Sequence, residues 1–310
     1  MKTKIWIALV ALYIVWGSTY LAIRFAVETM PPFLQASLRF LASGTILFIW
    51  RRAAGDSVPT YSNWKAAAIV GTFLLVGGNG LVSLAERTVP SGIAALMIAT
   101  SPFWLVLFEA FRAGGAKPTW QSIAGLVVGF GGVFILIGPA EFMGTQHTFN
   151  TSGIILLLAA PVLWSLGSIY AKGADMPQST LMSTGMEMLA GSVVLFVVSV
   201  VTGELSGFSF GTITMRSWLG LLYLITFGSL VGFVSYGWLL RNAPVSLMST
   251  YAYVNPVVAV FLGWLLAGEE INARIIFASA IIIGSVILIN WTRQASARKE
   301  AVPSVPQEIE

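Results

Sequence analysis

Ten apolar stretches of about 20 residues each, cut apart by charges, prolines and short polar clusters, dominate this chain of 310 residues. Each is long enough to cross the hydrocarbon core of a bilayer, where every backbone N–H and C=O must be satisfied within the protein. For separate runs of this length the solution is a helix. Their approximate limits are 5 to 24, 32 to 50, 66 to 85, 91 to 111, 121 to 138, 152 to 171, 179 to 201, 218 to 240, 246 to 267 and 274 to 292. Charged residues make up 10% of the chain and hydrophobic ones 56%, whereas soluble domains carry about 25% charged residues. The expected fold is an all-α integral membrane protein with ten transmembrane helices. The first run is no cleaved signal, because it continues to Arg24 and no small-residue cleavage site follows a short core. Residues 293 to 310, polar and proline-containing, are expected to form a disordered cytoplasmic tail.

Composition also excludes whole classes of chemistry. With no cysteine there is no disulfide, thiolate nucleophile or Cys-ligated metal. The single histidine, His147, stands in a polar loop beside Gln146 and Thr148 and cannot form a metal site alone. No aspartate falls within an expected span and no phosphate-cradling Gly-Lys-Ser/Thr loop occurs, so neither an intramembrane enzyme nor direct use of ATP is expected, and no cofactor. The net charge of +4 does not point to nucleic acid, since the basic residues are scattered between the spans. They report topology. With the N-terminus inside, the cytoplasmic loops and ends hold Lys2, Lys4, Arg51, Arg52, Lys65, Arg112, Lys117, Lys172, Arg241, Arg293, Arg298 and Lys299, against Arg24, Arg87, Arg216 and Arg274 opposite. Both termini should be cytoplasmic.

The two halves of the chain repeat. Trp16-Gly17-Ser18-Thr19-Tyr20 through Arg24 aligns with Trp164 through Lys172, and Leu38 to Ala42 with Met186 to Ala190, which sets Arg39 on Glu187. Arg87 to Pro90 falls on Arg241 to Pro244, and Gly131 to Val133 on Gly284 to Val286. Five spans per half is an odd number, so the second copy inserts upside down. The expected arrangement is two inverted five-helix repeats, residues 1–150 and 151–292, with a substrate site near the midplane between them, as in secondary transporters. In each half a proline stands inside an apolar run, Pro102 and Pro256, where it removes a backbone donor and displaces the carbonyl four residues earlier, Ile98 or Ala252. In a membrane such a carbonyl must face protein or a watery cavity. Both prolines are candidate hinges.

Trp16-Gly17-Ser18-Thr19, Arg39, Val89-Pro90-Ser91-Gly92, Tyr251 to Pro256 and Gly268-Glu269 together resemble the EamA group of the drug/metabolite transporter superfamily, over roughly residues 5 to 292. The resemblance implies a ten-helix carrier in the cell (inner) membrane. Its first four helices in each repeat surround a cavity and the fifth packs outside, and it exports small metabolites such as amino acids. Glu269 departs from the repeat, having no acidic counterpart beside Gly114, so a turn or capping role is expected for it rather than transport chemistry.

Polar residues within the spans nominate the site. Trp16 and Tyr20, Trp164, Asn79, and Tyr251, Tyr253 and Asn255 converge beside the two mid-span prolines and are expected to line a cavity suited to a small organic solute. Arg39 and Glu187 are charges near mid-membrane, each costing on the order of 3 kcal/mol at that depth. Their expected separation along the membrane normal is about 7 to 8 Å at about 1.5 Å per residue. They tie the halves together as a permanent ion pair, or reach separately to nearby polar groups, or part in one state, Arg39 then receiving a substrate carboxylate or Glu187 a proton. Gly125 and Gly129 allow close packing of the fifth span on the bundle or on a second subunit, which leaves monomer and homodimer both open. The expected partners are a small-molecule substrate, the lipid bilayer and, if transport is driven, protons. The competing reading is a channel or an uncoupled facilitator of small solutes.

Overall fold

The computed structural model describes residues 2–112, 117–138, 150–243, 247 and 250–300. Its elements are α1 (Lys2–Ala26), α2 (Pro32–Ala53), α3 (Tyr61–Ala85), α4 (Ser91–Phe111), α5 (Trp120–Ile137), α6 (Thr151–Ala171), α7 (Thr180–Val201), α8 (Met215–Leu239), α9 (Tyr251–Ala267) and α10 (Ala273–Glu300), with no strand among the described residues. Nine of these are long and apolar enough to cross a membrane, and α9 is apolar over a described length of 17 residues. The helices follow the apolar runs closely, as the internal satisfaction of backbone groups requires. One boundary differs. The polar tail expected from residue 293 begins instead as helix, because α10 continues to Glu300 through Gln, Ala, Arg and Lys, all good helix formers. His147 and Pro244 lie outside the described residues.

Helix starts divide into two kinds. Thr60, Thr119, Asn150, Ser179 and Thr214 each cap their own helix through a side-chain oxygen, Thr60 in a reciprocal pair with Asn63. By contrast α2 and α4 start after Pro31 and Pro90, with no local side-chain cap. Their caps come from far along the chain. The Glu204 carboxylate accepts from the amides of Phe33 (3.2 Å) and Leu34 (3.0 Å). Glu269 does the same for Ser91 (2.7 Å) and Gly92 (3.0 Å), and also accepts from the Ser91 hydroxyl (2.8 Å). The capping role expected of Glu269 is thus served on α4, not on its own helix, and it joins the Val89–Gly92 and Gly268–Glu269 motifs. Gly268, at φ +67°, makes the left-handed turn that ends α9 and delivers Glu269.

Packing between the helices is reciprocal across the chain. α1 lies on α8 and α9 while α6 lies on α3 and α4; α2 packs along α7, and α5 along α10. Gly44 and Gly185 let α2 and α7 approach so closely that a Cβ at Gly44 would stand 3.0 Å from the Gly185 carbonyl. The α5 glycines serve packing within this chain: Gly125 faces Ile289, and Gly132 faces Ile282 of α10. The ten helices run alternately up and down, so that the described chain ends lie at one end of the bundle, the terminal end. The opposite, far end holds the connections that carry Glu28, Glu86, Glu204 and Glu269. There the largest apolar cluster joins Ile23, Ala26 and Val27 of α1, Val82, Ala85 and Val89 near the end of α3, Ile93, Ala94 and Met97 of α4, and Ile154 and Leu157 of α6, all buried.

Candidate functional site

One of the ten helices, α4, is interrupted at mid-depth beside a central space. α4 breaks at Ala99–Thr100, and Pro102 sits in the first turn of its second segment, where its missing donor costs nothing. The carbonyls released by the break are met by hydroxyls. Thr100 Oγ1 donates to the Met97 carbonyl (2.6 Å), and Ser101 Oγ to that of Ile98 (2.6 Å). The Ser165 hydroxyl of α6 reaches the Ser101 carbonyl at 3.1 Å. Pro256 differs: it stands inside α9, which begins at Tyr251 after a turn at Thr250. The two prolines therefore do not sit at equivalent places in their helices, although both border the cavity. α3 and α8 widen into π-helix over Thr72–Gly80 and Leu224–Val231, a local form frequent at functional sites.

The cavity beside this break measures ≈ 210 Å³. Among the residues expected to line it, Trp16, Tyr20, Asn79, Trp164, Tyr251 and Asn255 do so, together with Arg39, Pro102 and Pro256. The two tryptophans are held alike. Trp164 of α6 lies on Gly78 of α3, where a Cβ would come within 2.7 Å of the indole, and Trp16 of α1 lies against Gly232 of α8. Trp16 Nε1 also donates to the Gly228 carbonyl at 3.2 Å. Its ring meets Phe233, Tyr236 and Tyr251 at centroid distances of 5.4, 5.3 and 5.2 Å, forming an aromatic wall. Asn79 donates to the Leu74 carbonyl across the π-helical stretch (3.4 Å). Asn255 is 8% exposed, and its Oδ1 has no donor among the described residues.

Tyr253 is not on this wall. It packs beside Phe103, Val106 and Val286 on the α5–α10 side, because residues two apart on a helix point to nearly opposite faces at 3.6 residues per turn. Phe233 and Thr19 are lining residues that the sequence reading passed over. Phe233 directly follows Gly232, the seat of Trp16.

Arg39 and Glu187 do not pair. Arg39 is 4% exposed, donates from Nε to Ser229 Oγ at 3.0 Å and lies over the Phe40 ring at 4.7 Å, with its guanidinium at the cavity wall. Glu187 does not border the cavity. It sits on α7, where its main-chain carbonyl meets Gly71 of α3. Depth in the membrane was similar for the two, but position around the helix axis was not, so no ion pair joins them among the described residues. The ion pairs that form among the described residues lie at the ends: Arg51 with Asp56 at 2.6 Å, Lys172 with Glu109 at 2.6 Å, Arg112 with Glu109 at 3.7 Å, and Arg216 with Glu28 at 3.2 Å.

Between the cavity and the far end lie the buried apolar cluster and, above it, a polar layer. Arg24 Nη1 donates to the main-chain carbonyl of Glu86. The Glu86 carboxylate is fully buried and neither oxygen has a hydrogen-bond partner among the described residues. Burial first, and then the negative charge of Glu269, pushes this carboxyl well above the usual carboxylate range, with Arg24 opposing.

Comparison with known proteins fits this architecture. Residues 3–138 and 151–291 each match the EamA-like transporter family. The chain is 37% identical over 309 residues to the inner membrane transporter YedA of Escherichia coli (strain K12), covering 97% of this chain and 95% of that one. It is 23% identical to the transporter YvbV of Bacillus subtilis (strain 168), over 95% and 94% of the two chains, and 25% identical to protein PecM of Dickeya dadantii (strain 3937), over 93% of each. A solved structure titled only "Crystal structure of protein" has the same fold, with a TM-score of 0.63 at 20% identity, covering 94% of this chain and 99% of that one.

Proposed function

We propose, because the chain belongs to the EamA-like transporter family, that it is a secondary transporter exporting small organic metabolites across the inner membrane by alternating access. Residues 1–150 and 151–292 act as two inverted five-helix halves, and both termini are cytoplasmic. The observation that carries this reading is the central cavity. It lies at mid-depth, takes its walls from α1, α2, α3 and α4 of one half and α6, α8 and α9 of the other, and has the buried apolar cluster between it and the far end. The reciprocal seats of Trp16 on Gly232 and Trp164 on Gly78 support a twofold relation between the halves, and the family matches twice along the chain. An aromatic wall with few donors suits an organic solute better than a bare ion. Uptake of protons in exchange, or simple downhill efflux, supplies the driving force. A sealed end weighs against the channel reading, since a pore conducts without closing at each cycle. Thermal-shift screening of the purified protein against a metabolite library should select ligands, and these should show saturable counterflow in proteoliposomes. Unitary ionic currents without counterflow would overturn the proposal.

A further inference from the structure

We propose that the solute accepted by this cavity is an organic monoanion, its carboxylate held by Arg39 and its apolar or aromatic body lying along the Trp16–Tyr251–Phe233 wall. This rests on the transporter reading and narrows it. The argument is one of charge. Of the residues that line the cavity, Arg39 alone is ionic, and no Asp or Glu joins it there. Its Nε is used by Ser229 Oγ, and no carboxylate lies within ion-pair distance of its guanidinium among the described residues. A cation held at mid-membrane without a counter-charge is costly, and the usual remedy is a partner. Here the partner must arrive with the solute. A planar guanidinium presents parallel N–H groups that match a carboxylate, which a lysine would not.

The same inventory separates the solute classes. A drug-like cation would meet Arg39 as a like charge and find no acid elsewhere on the wall. A zwitterionic amino acid could place its carboxylate, but its ammonium would face only aromatic rings and amide or hydroxyl oxygens beside a positive residue. A monoanion neutralises the site. The Asn255 Oδ1, buried and without a donor among the described residues, adds a preference for a solute that also carries an O–H or N–H. Size sets the remaining limit: ≈ 210 Å³ is about seven waters' worth at about 30 Å³ each, enough for one ring and a short acid chain.

A charge series on one skeleton tests this in the full-length protein. In detergent, the intrinsic tryptophan fluorescence to which Trp16 and Trp164 contribute is titrated with 3-(4-hydroxyphenyl)propanoate, its methyl ester, tyramine and tyrosine. The expected result is saturable binding of the acid at least tenfold tighter than that of the other three, weakened at least tenfold in Arg39→Gln and partly restored in Arg39→Lys. The wild-type series needs no variant to fold. Equal or tighter binding of tyramine, tyrosine or the ester overturns the proposal, as does binding of no member of the series, or unchanged binding of the acid by a monodisperse Arg39→Gln protein. Counterflow then separates the two readings. If the acid binds but is never exchanged across proteoliposomes, transport fails while the site stands. If tyrosine or tyramine is exchanged and the acid is not, the site assignment fails while transport stands.

Discussion

Replacing Glu269 with alanine removes the acceptor for two amides and one hydroxyl at the start of α4. Ser91 and Gly92 are buried, so water does not take its place freely. A buried donor left without a partner costs about 1–3 kcal/mol, and a lost N-cap about 0.5–2 kcal/mol. Two amides at the lower end of the first range give a loss of about 2–3 kcal/mol. Glu269 belongs to the α9–α10 connection and its donors to α4, so the contact exists only while these elements are together. If they separate when the far end opens, the loss falls on that equilibrium, and with about 1.4 kcal/mol per tenfold the open population rises about 30- to 140-fold. The chain contains no cysteine, so a single Ala94→Cys substitution in the seal, where Ala94 is fully buried, reports opening by its rate of maleimide labelling. Labelling in the Glu269→Ala background should accelerate by that factor. An unchanged labelling rate with an unchanged melting temperature would refute the energetic argument. An unchanged rate with a lower melting temperature would show that the cap holds the fold and not the gate.

The same reporter reads the effect of pH. Glu86 is raised above the ordinary carboxylate value of about 4.3 while buried and returns toward it when hydrated, so its protonation favours the sealed state fully at low pH. That contribution is lost as pH rises through the raised value. Labelling of Ala94→Cys, divided at each pH by the rate for a freely exposed cysteine because the thiolate is the reactive form, should therefore speed up with rising pH. Glu86→Gln should flatten the profile, whereas Glu187→Gln, away from the seal, should leave it intact. Gly78→Leu drives a side chain into the seat of Trp164 and should reduce counterflow by more than tenfold in protein that still purifies as a monodisperse species. Glu109→Gln breaks a half-exposed pair with Lys172 and should change thermal stability by less than about 1 kcal/mol, as measured by the shift in melting temperature.

How much of the site could be read in advance depended on whether the deciding interaction was local. Trp16 and Tyr20 share a face four residues apart on one helix, a spacing that survives any tertiary arrangement. Tyr251 and Tyr253 were grouped by proximity along the chain, and helical phase alone should have separated them. Arg39 and Glu187 were matched by depth, yet depth says nothing of which neighbour each faces; that is decided by how α2 and α7 rotate when Gly44 and Gly185 come together. Glu204 gave no local signal at all. It caps a helix 170 residues away along the chain from Leu34.

The ten crossings, the apolar faces and the positions of the awkward prolines followed from the sequence by itself, because in a bilayer each span must satisfy its own backbone and a polar residue must avoid lipid. The tertiary structure alone decided which polar residues share a cavity, which carboxylates close the far end and which charge is left without a partner. Those outcomes depend on the azimuth of one helix against another, and that is set by close packing across the whole bundle.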